Sequence, residues 1–529
     1  MSFGQKILVI VLITLMVLGI VYVGSRQNRQ EEEIKENAYN QVDTVNFWYS
    51  DDRYTDFFTK AAVAFHEKNP DIRVIPVLVG SSEYLEKINE ASLSNDSFPD
   101  LYMISNDSLE KAYLSGLASE AKNTCNVLNT AHFSQSALDA VTYKKNYVAY
   151  PLCFETSVLL YNKTLLDNWV EKFNAGLVED GGEGVTLDEM QIDEGDEVDT
   201  SGLDENQDVT EEEVVLTLEG IIPENFDKLI EFSQTYQAEE GVEGVLKWDV
   251  SDIFYNYLFV GNYMIVGGDS GDDTSNIDIY NDDTLKCVNL YKNLNQVFSI
   301  DSKTSSYSKM LEDFLDGKMI FTIATSDCIE KINERMEEGA LARAEAEAKA
   351  QEEGENGELS ADEASSEEAS EETTEDGEEL PEEYTPKHIQ VGEPEKKYFE
   401  YGYAAIPDIS ADLKSRSLSV TDALVINGYS TVKESADKFA AYLSTECAPD
   451  LYARTGRLSA AKDAGYSDDA SRIFQKEYSE SIPLPKIVET SNLWVQLEIA
   501  FQDIWNGEDA ATRLKKFADQ ISSQIVTGE

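Results

Sequence analysis

The chain has 529 residues, too many for one ordinary domain and suited to two or three. Its 102 acidic residues outnumber 42 basic ones, a formal net charge of -60. Such a surface repels nucleic-acid phosphates and argues against a nucleic-acid role. Apolar residues make up 42% and aromatic residues 10%, enough for a substantial core. The five cysteines are far apart with no CxxC pair, and the three histidines are scattered. That set fits neither a zinc cluster nor a disulfide framework and reads as buried free thiols.

The first feature in chain order is the apolar run ILVIVLITLMVLGIVYV, Ile7 to Val23. At about 1.5 Å per residue it nearly spans a hydrocarbon core of about 30 Å. Lys6 precedes it and Arg26 and Arg29 follow, so flanking charge does not fix its orientation. Cleavage would require a small-residue site, and VYVGS is a poor one. A lipoprotein signal would require a cysteine close behind, and the first is Cys125. The expectation is an uncleaved signal anchor over residues 1–26 and a polar stalk over 27–42.

Globular patterning begins at Thr44. TVNFWYS reads as a strand. Tyr54 to Asn69 reads as a helix with Phe57, Phe58, Ala61, Ala62 and Phe65 on one face, stopped by Asn69-Pro70-Asp71. IRVIPVLV is a strand, Tyr84 to Leu93 a helix and Pro99 to Ile104 another strand. The alternation predicts an α/β fold with a largely parallel sheet. In such sheets ligands bind beyond the carboxyl ends of the strands, here after Tyr49 and after Ile104. Tyr147 to Tyr161 is an extended apolar run broken by Pro151 and Glu155. Later come a helix to about Tyr236, an aromatic stretch from Asp252 to Val266, and a helix from Tyr307 leading into the strand MIFTIA. Two acidic blocks, 179–213 and 330–395, interrupt this pattern and read as solvated insertions, the second partly disordered. Its first part, from Glu330, has good helix propensity. Neither block has EF-hand spacing.

The ordered landmarks resemble the extracellular solute-binding proteins of ABC importers, in the group typified by maltose-binding protein. The carrying segments are VNFWYSDD, FTKAAVAFHEKNPDIRV, YLEKINEASLSNDSFPDLYMIS, YVAYPLCFETSVLLYNKTLLD, PENFDKLIEFSQ, FLDGKMIFTIATS, GYAAIPDIS, SVTDALVINGYSTVKESADKFAAYLSTE, TGRLSAAKDA and SNLWVQLEIAFQDIWNGEDAATRLKKFADQI. The resemblance implies a two-lobed periplasmic-binding-protein-like fold with two parallel-rich sheets and a hinge. Lobe one would be residues 43–154 plus 417–463, and lobe two 155–416 plus 464–529. It also implies a non-enzymatic receptor on the outer face of the cell membrane. Such a receptor takes a small ligand, expected to be a mono- or oligosaccharide, and delivers it to ABC permease subunits. No cofactor and no metal are expected. A surface sensor or scaffold on the same fold is the alternative, and an extracellular carbohydrate-active enzyme stands behind it.

Sugar sites combine aromatic faces with carboxylates, amides or Arg groups that bond hydroxyls. The first loop offers Trp48, Asp52 and Arg53; the resemblance assigns sugar contact to Asp52-Arg53, with a loop ion pair as the plain alternative. Asp107 matches a family carboxylate or serves as a helix cap. Glu155 matches a ligand carboxylate, and as a lone charge in an apolar run it needs a partner. Trp494 stands where the family has a stacking tryptophan, or in the core. Trp248 and Tyr255 lie in the region that supplies aromatic groups from lobe two, with core packing of an aromatic stripe at helical spacing as the plain alternative. Asp327 follows the strand where the family often has Gly-Pro-Trp; here Ala324-Thr325-Ser326 replaces that motif and removes a tryptophan. Asp422 completes the candidates. No phosphate loop or dinucleotide fingerprint is present.

Overall fold

The computed structural model describes residues 42–94, 97–175, 216–342, 344, 398–487 and 492–528. The apolar run Ile7 to Val23, the acidic block 179–213 and most of the block 330–395 lie outside these residues. The beginning of the second block is helical, within a helix over 328–342. Among the described residues no helix is long and apolar enough to cross a membrane.

The chain opens with strand β1 (Asp43–Tyr49), helix α1 (Thr55–Lys68), strand β2 (Ile72–Leu78), helix α2 (Tyr84–Ser94) and strand β3 (Leu101–Ser105). Strands β4 (Tyr150–Glu155) and β5 (Ser157–Asn162) follow, separated by Thr156 alone. Helices α3 (Lys163–Asn174) and α4 (Phe226–Thr235), strand β6 (Gly244–Leu246), and helices α5 (Asp282–Phe298) and α6 (Tyr307–Leu315) lead to strand β7 (Met319–Thr325). After β8 (Tyr401–Ala404) and β9 (Leu418–Ile426) come α7 (Lys433–Ser444), α8 (Ala448–Thr455) and β10 (Leu458–Ser459). The chain closes with α9 (Asp469–Glu480), β11 (Ile482–Pro483), α10 (Leu493–Trp505) and α11 (Ala510–Gly528).

These strands form two main sheets. The seven-stranded sheet runs β10-β4-β9-β3-β1-β2, with β11 added beside β9; the four-stranded sheet runs β8-β5-β7-β6. The single residue Thr156 therefore carries the chain from one sheet to the other. Only part of the expected parallel character is observed. β1 pairs in parallel with β2 and β3, but β9 runs antiparallel to both β3 and β4. β5 likewise runs antiparallel to β7 and β8. The βαβα repeat at the start enforces parallel pairing through its crossover helices. β9 returns from a long excursion through the smaller sheet and enters in the opposite direction.

Helix α1 shows why local sequence sufficed there. Phe57, Phe58, Ala61, Ala62 and Phe65 are buried on one face, and the Asn69 amide donates to the Phe65 carbonyl at the end of the helix. Phe58 meets Phe47 of β1 edge-on at 4.6 Å. Burying each such ring is worth roughly 1.5–3 kcal/mol. The larger core cluster continues from this pair into Leu152 and Phe154 of β4 and Phe439 of α7. A second cluster, around Trp248, Tyr291, Phe321 and Trp505, fills the space between the small sheet and helices α5, α10 and α11. Helix α9 reaches both sheets' surroundings, and its Tyr478 stacks on Phe154 at 4.0 Å, nearly parallel. Four cysteines are buried and free; Cys125 is free and exposed.

Candidate functional site

The turn after β1 is a short 3-10 segment, Asp52–Tyr54, capped by the Asp51 side chain, which accepts the Arg53 backbone N–H at 3.0 Å. Tyr54 points inward, and its hydroxyl lies 3.2 Å from the Cys153 thiol. With Tyr54 pinned below, Arg53 is left at the mouth of a cavity of about 610 Å³. That volume falls in the ordinary range for small-molecule sites.

The large sheet supplies one wall, with Cys153, Phe154 and Glu155 from the end of β4, Val420 and Asp422 from β9, and Arg53 and Arg457 from loops. The pairing between β4 and β9 slips between Asp422 and Ala423, leaving Leu152 without a partner on β9. Pro151, which has no N–H to give the ladder, sits beside this irregularity. Just before the slip, Asp422 is paired with Cys153, whose thiol approaches its carboxylate at 3.6 Å. Arg457 immediately precedes β10, whose pairing Leu458↔Phe154 sets it alongside Glu155. The Arg457 guanidinium donates from Nη1 to Glu155, while its Nε has no partner among the described residues. Burial raises the Asp422 carboxyl above the usual range, with the positive charge of Arg457 opposing that rise.

The smaller sheet and its helices supply the facing wall, with Asp252, Phe254, Tyr255, Tyr307, Thr325 and Asp327. Tyr255 and Tyr307 stack at 4.9 Å with a 17° tilt. The Tyr307 N–H donates to Asp249 at 2.8 Å and its hydroxyl to Asp327 at 2.5 Å. Thr325 donates to the same Asp327 oxygen at 2.7 Å, and Lys331 to the other at 2.8 Å. Burial alone would raise the Asp327 carboxyl, but these donors outweigh it and hold it below the usual range. Burial raises both tyrosine hydroxyls well above their ordinary value, so both remain neutral donors. The arrangement offers aromatic faces beside Asp252 and Asp327 on one side and the charged hydrogen-bonding groups Arg53, Glu155, Asp422 and Arg457 on the other.

Of the residues expected from the sequence, Arg53, Glu155, Tyr255, Asp327 and Asp422 come together here. Trp248 requires correction. It is fully buried, its indole N–H donates to Asn256 at 2.9 Å, and its ring packs edge-on against Trp505 at 5.4 Å. Asn256 in turn donates to the carbonyls of Asp249 and Asp252, so Trp248 braces the rim of the cavity from behind. Asp52 is exposed and does not line the cavity; the ion pair of Arg53 is with Asp51, at 3.0 Å. Trp48 packs instead against a separate core cluster on the other face of β1. Asp107 is exposed and accepts the Ser105 hydroxyl at 2.6 Å. Trp494 packs beside Tyr257 at 5.8 Å, outside the lining. Arg457, Tyr307 and Asp252 were not singled out from sequence. Only Asp252, heading an aromatic stretch, carried any local signal.

The family model for bacterial extracellular solute-binding proteins matches residues 51–446. Among solved structures, the chain is similar to an extracellular solute-binding protein from Staphylococcus aureus in complex with maltose. The identity is 16% and the TM-score 0.62, over 92% of this chain and 97% of that one. A cyclo/maltodextrin-binding protein complexed with maltotetraose gives 16% identity and a TM-score of 0.62 over 92% and 98% of the two chains. A maltose-binding periplasmic protein from Listeria monocytogenes, also with maltose, gives 17% and 0.60 over 92% and 99%. At these identities the likeness shows the fold, two α/β lobes facing a cleft. A search of curated protein sequences returns no significant match.

Proposed function

The chain belongs to the bacterial extracellular solute-binding family, and on that premise we propose that it captures a small carbohydrate in this cavity and delivers it to an ABC importer. The observation that carries the reading is the stacked Tyr255–Tyr307 pair facing a wall of Arg53, Glu155, Asp422 and Arg457. Aromatic faces accept the CH side of a sugar ring, and the charged groups accept its hydroxyls. Proteins of similar fold were solved with maltose and maltotetraose, which supports a sugar as the ligand class. Asp252, Phe254 and Asp327 complete the contact set. The chain binds and releases without a catalytic step. Closure brings the lobe built on the large sheet toward the lobe built on the small sheet, flexing where β4 passes into β5. The run Ile7 to Val23 tethers the receptor to the outer face of the membrane.

A thermal-shift panel of mono- and oligosaccharides tests the reading. A ligand at a hundredfold excess over Kd adds about 2.7 kcal/mol of stability and raises Tm. Tyr255→Ala, if it weakens binding roughly tenfold, should cut the shift to about half or less. A shift with peptides, and none with any sugar, would overturn the carbohydrate assignment. Deleting residues 1–26 should move the protein from the membrane fraction to the soluble fraction; unchanged fractionation would remove the tether.

A further inference from the structure

Four carboxylates line the cavity, Glu155, Asp252, Asp327 and Asp422, against two guanidinium groups, Arg53 and Arg457. Internal pairing does not cancel them evenly. Arg457 is committed to Glu155, Arg53 to Asp51, and Asp327 is held by Lys331. Asp252 and Asp422 have no ion-pair partner among the described residues. Asp252 accepts the Phe254 N–H at 2.8 Å through one oxygen only. Asp422 accepts the long contact from Cys153. Burial raises both carboxyls. The Asp252 end is negative beyond the lining itself. Buried Asp249 stands beside it, and Glu498 is pushed up by burial and by the charges of Asp252 and Asp249. A concave surface carrying one excess sign focuses its potential inward. The stacked tyrosines between these groups add ring faces that attract cations.

A neutral sugar would leave Asp252 and Asp422 to lose water without gaining a counter-charge as the walls close, which is costly. A sugar bearing free amines satisfies both walls at once. We propose that the preferred ligand is a cationic amino sugar, its ring on the tyrosines and its ammonium groups received by Asp252 and Asp422. This deepens the carbohydrate reading of the same cavity and rests on it.

Calorimetric titration of the full chain with free-amine chitobiose, its N-acetylated form, maltose and spermidine tests the proposal. Free-amine chitobiose should bind at least roughly tenfold more tightly than either neutral sugar, a preference that added salt weakens. Asp252→Asn and Asp422→Asn should each reduce that preference roughly tenfold. Asparagine preserves the cap at position 252, so folding should survive, as a thermal melt checks. If a variant fails to fold, the amine-against-acetyl comparison on the unaltered chain still decides. A neutral sugar binding as tightly as the amine overturns this inference and leaves the carbohydrate reading standing. Spermidine binding as tightly as free-amine chitobiose overturns the amino-sugar assignment. No binding by any of the three sugars overturns this inference, and the broader sugar and peptide panel then decides the carbohydrate reading.

Discussion

The wall from the large sheet presents charges that answer one another, Arg457 to Glu155 and Arg53 to Asp51, with Asp422 beside them. The wall from the small sheet presents Tyr255 and Tyr307 as a stacked unit beside Asp252 and Asp327, braced from behind by Asp249 and Trp248. The first wall therefore holds directional groups whose geometry depends on charge balance. The second holds, beside its two carboxylates, a flat aromatic surface whose geometry depends on packing. A ligand that touches both must offer polar edges to one and an apolar face to the other, which is the surface of a pyranose. The difference also means that the walls should fail in different ways.

The largest effect falls behind the aromatic wall. Trp248→Ala removes a fully buried ring and the donor to Asn256, and should cost about 3–5 kcal/mol in chemical denaturation. An unchanged transition would show that the packing does not support that wall. On the charged wall, Arg457→Ala leaves Glu155 without its ion-pair partner. Because the pair is about a quarter exposed, the loss should be smaller, about 2–3 kcal/mol. Adding Glu155→Gln should recover part of it, and failure to do so would uncouple the two residues.

Glu477, on the helix α9 that reaches both sheets, gives a test through pH. Burial and then the neighbouring Glu480 push its carboxyl from the ordinary 4.5 to about 7; Asp408 adds to the rise, while Lys476 and the Ile406 N–H oppose it. The folded chain thus holds this proton more tightly than the unfolded chain. Its contribution to stability is complete below about pH 4.5 and is lost as pH rises through about 7. Glu477→Gln should flatten that part of the profile, a change on the order of 3 kcal/mol between the two ends. An identical profile would refute the assignment. The smallest effect is Tyr307→Phe, which deletes one donor to Asp327 and keeps the stack. It should cost about 1 kcal/mol in a denaturant melt, and a neutral result would show that Thr325 and Lys331 suffice.

What the sequence made legible follows the same division. Elements with a strong local period were readable: the helix expected over Tyr54 to Asn69 is observed over Thr55–Lys68. Glu155 was readable because a lone charge in an apolar run requires a partner. The partner was not, because Arg457 is 302 residues away and reaches it through the two-residue strand β10, whose register leaves no periodic trace. Asp327 was readable just past the end of β7, where an α/β fold places its ligands, whereas Asp422 lies in the middle of β9 and was suggested only by the family resemblance. Trp248 was misassigned because an aromatic residue near a site has the same sequence signature whether it faces the ligand or supports the wall. Its full burial, its bond to Asn256 and its contact with Trp505, from the far end of the chain, separate the two roles. Tyr307 opens an ordinary amphipathic helix, and its stacking on Tyr255 is likewise a long-range fact.

The most direct measurement is a calorimetric titration of chitobiose and maltotetraose into the unaltered chain, Tyr255→Ala and Trp494→Ala. If the cavity between the two walls is the ligand site, at least one sugar binds saturably, Tyr255→Ala weakens it roughly tenfold or more, and Trp494→Ala leaves it unchanged. Binding that survives Tyr255→Ala and vanishes with Trp494→Ala would place the sugar elsewhere and contradict the account.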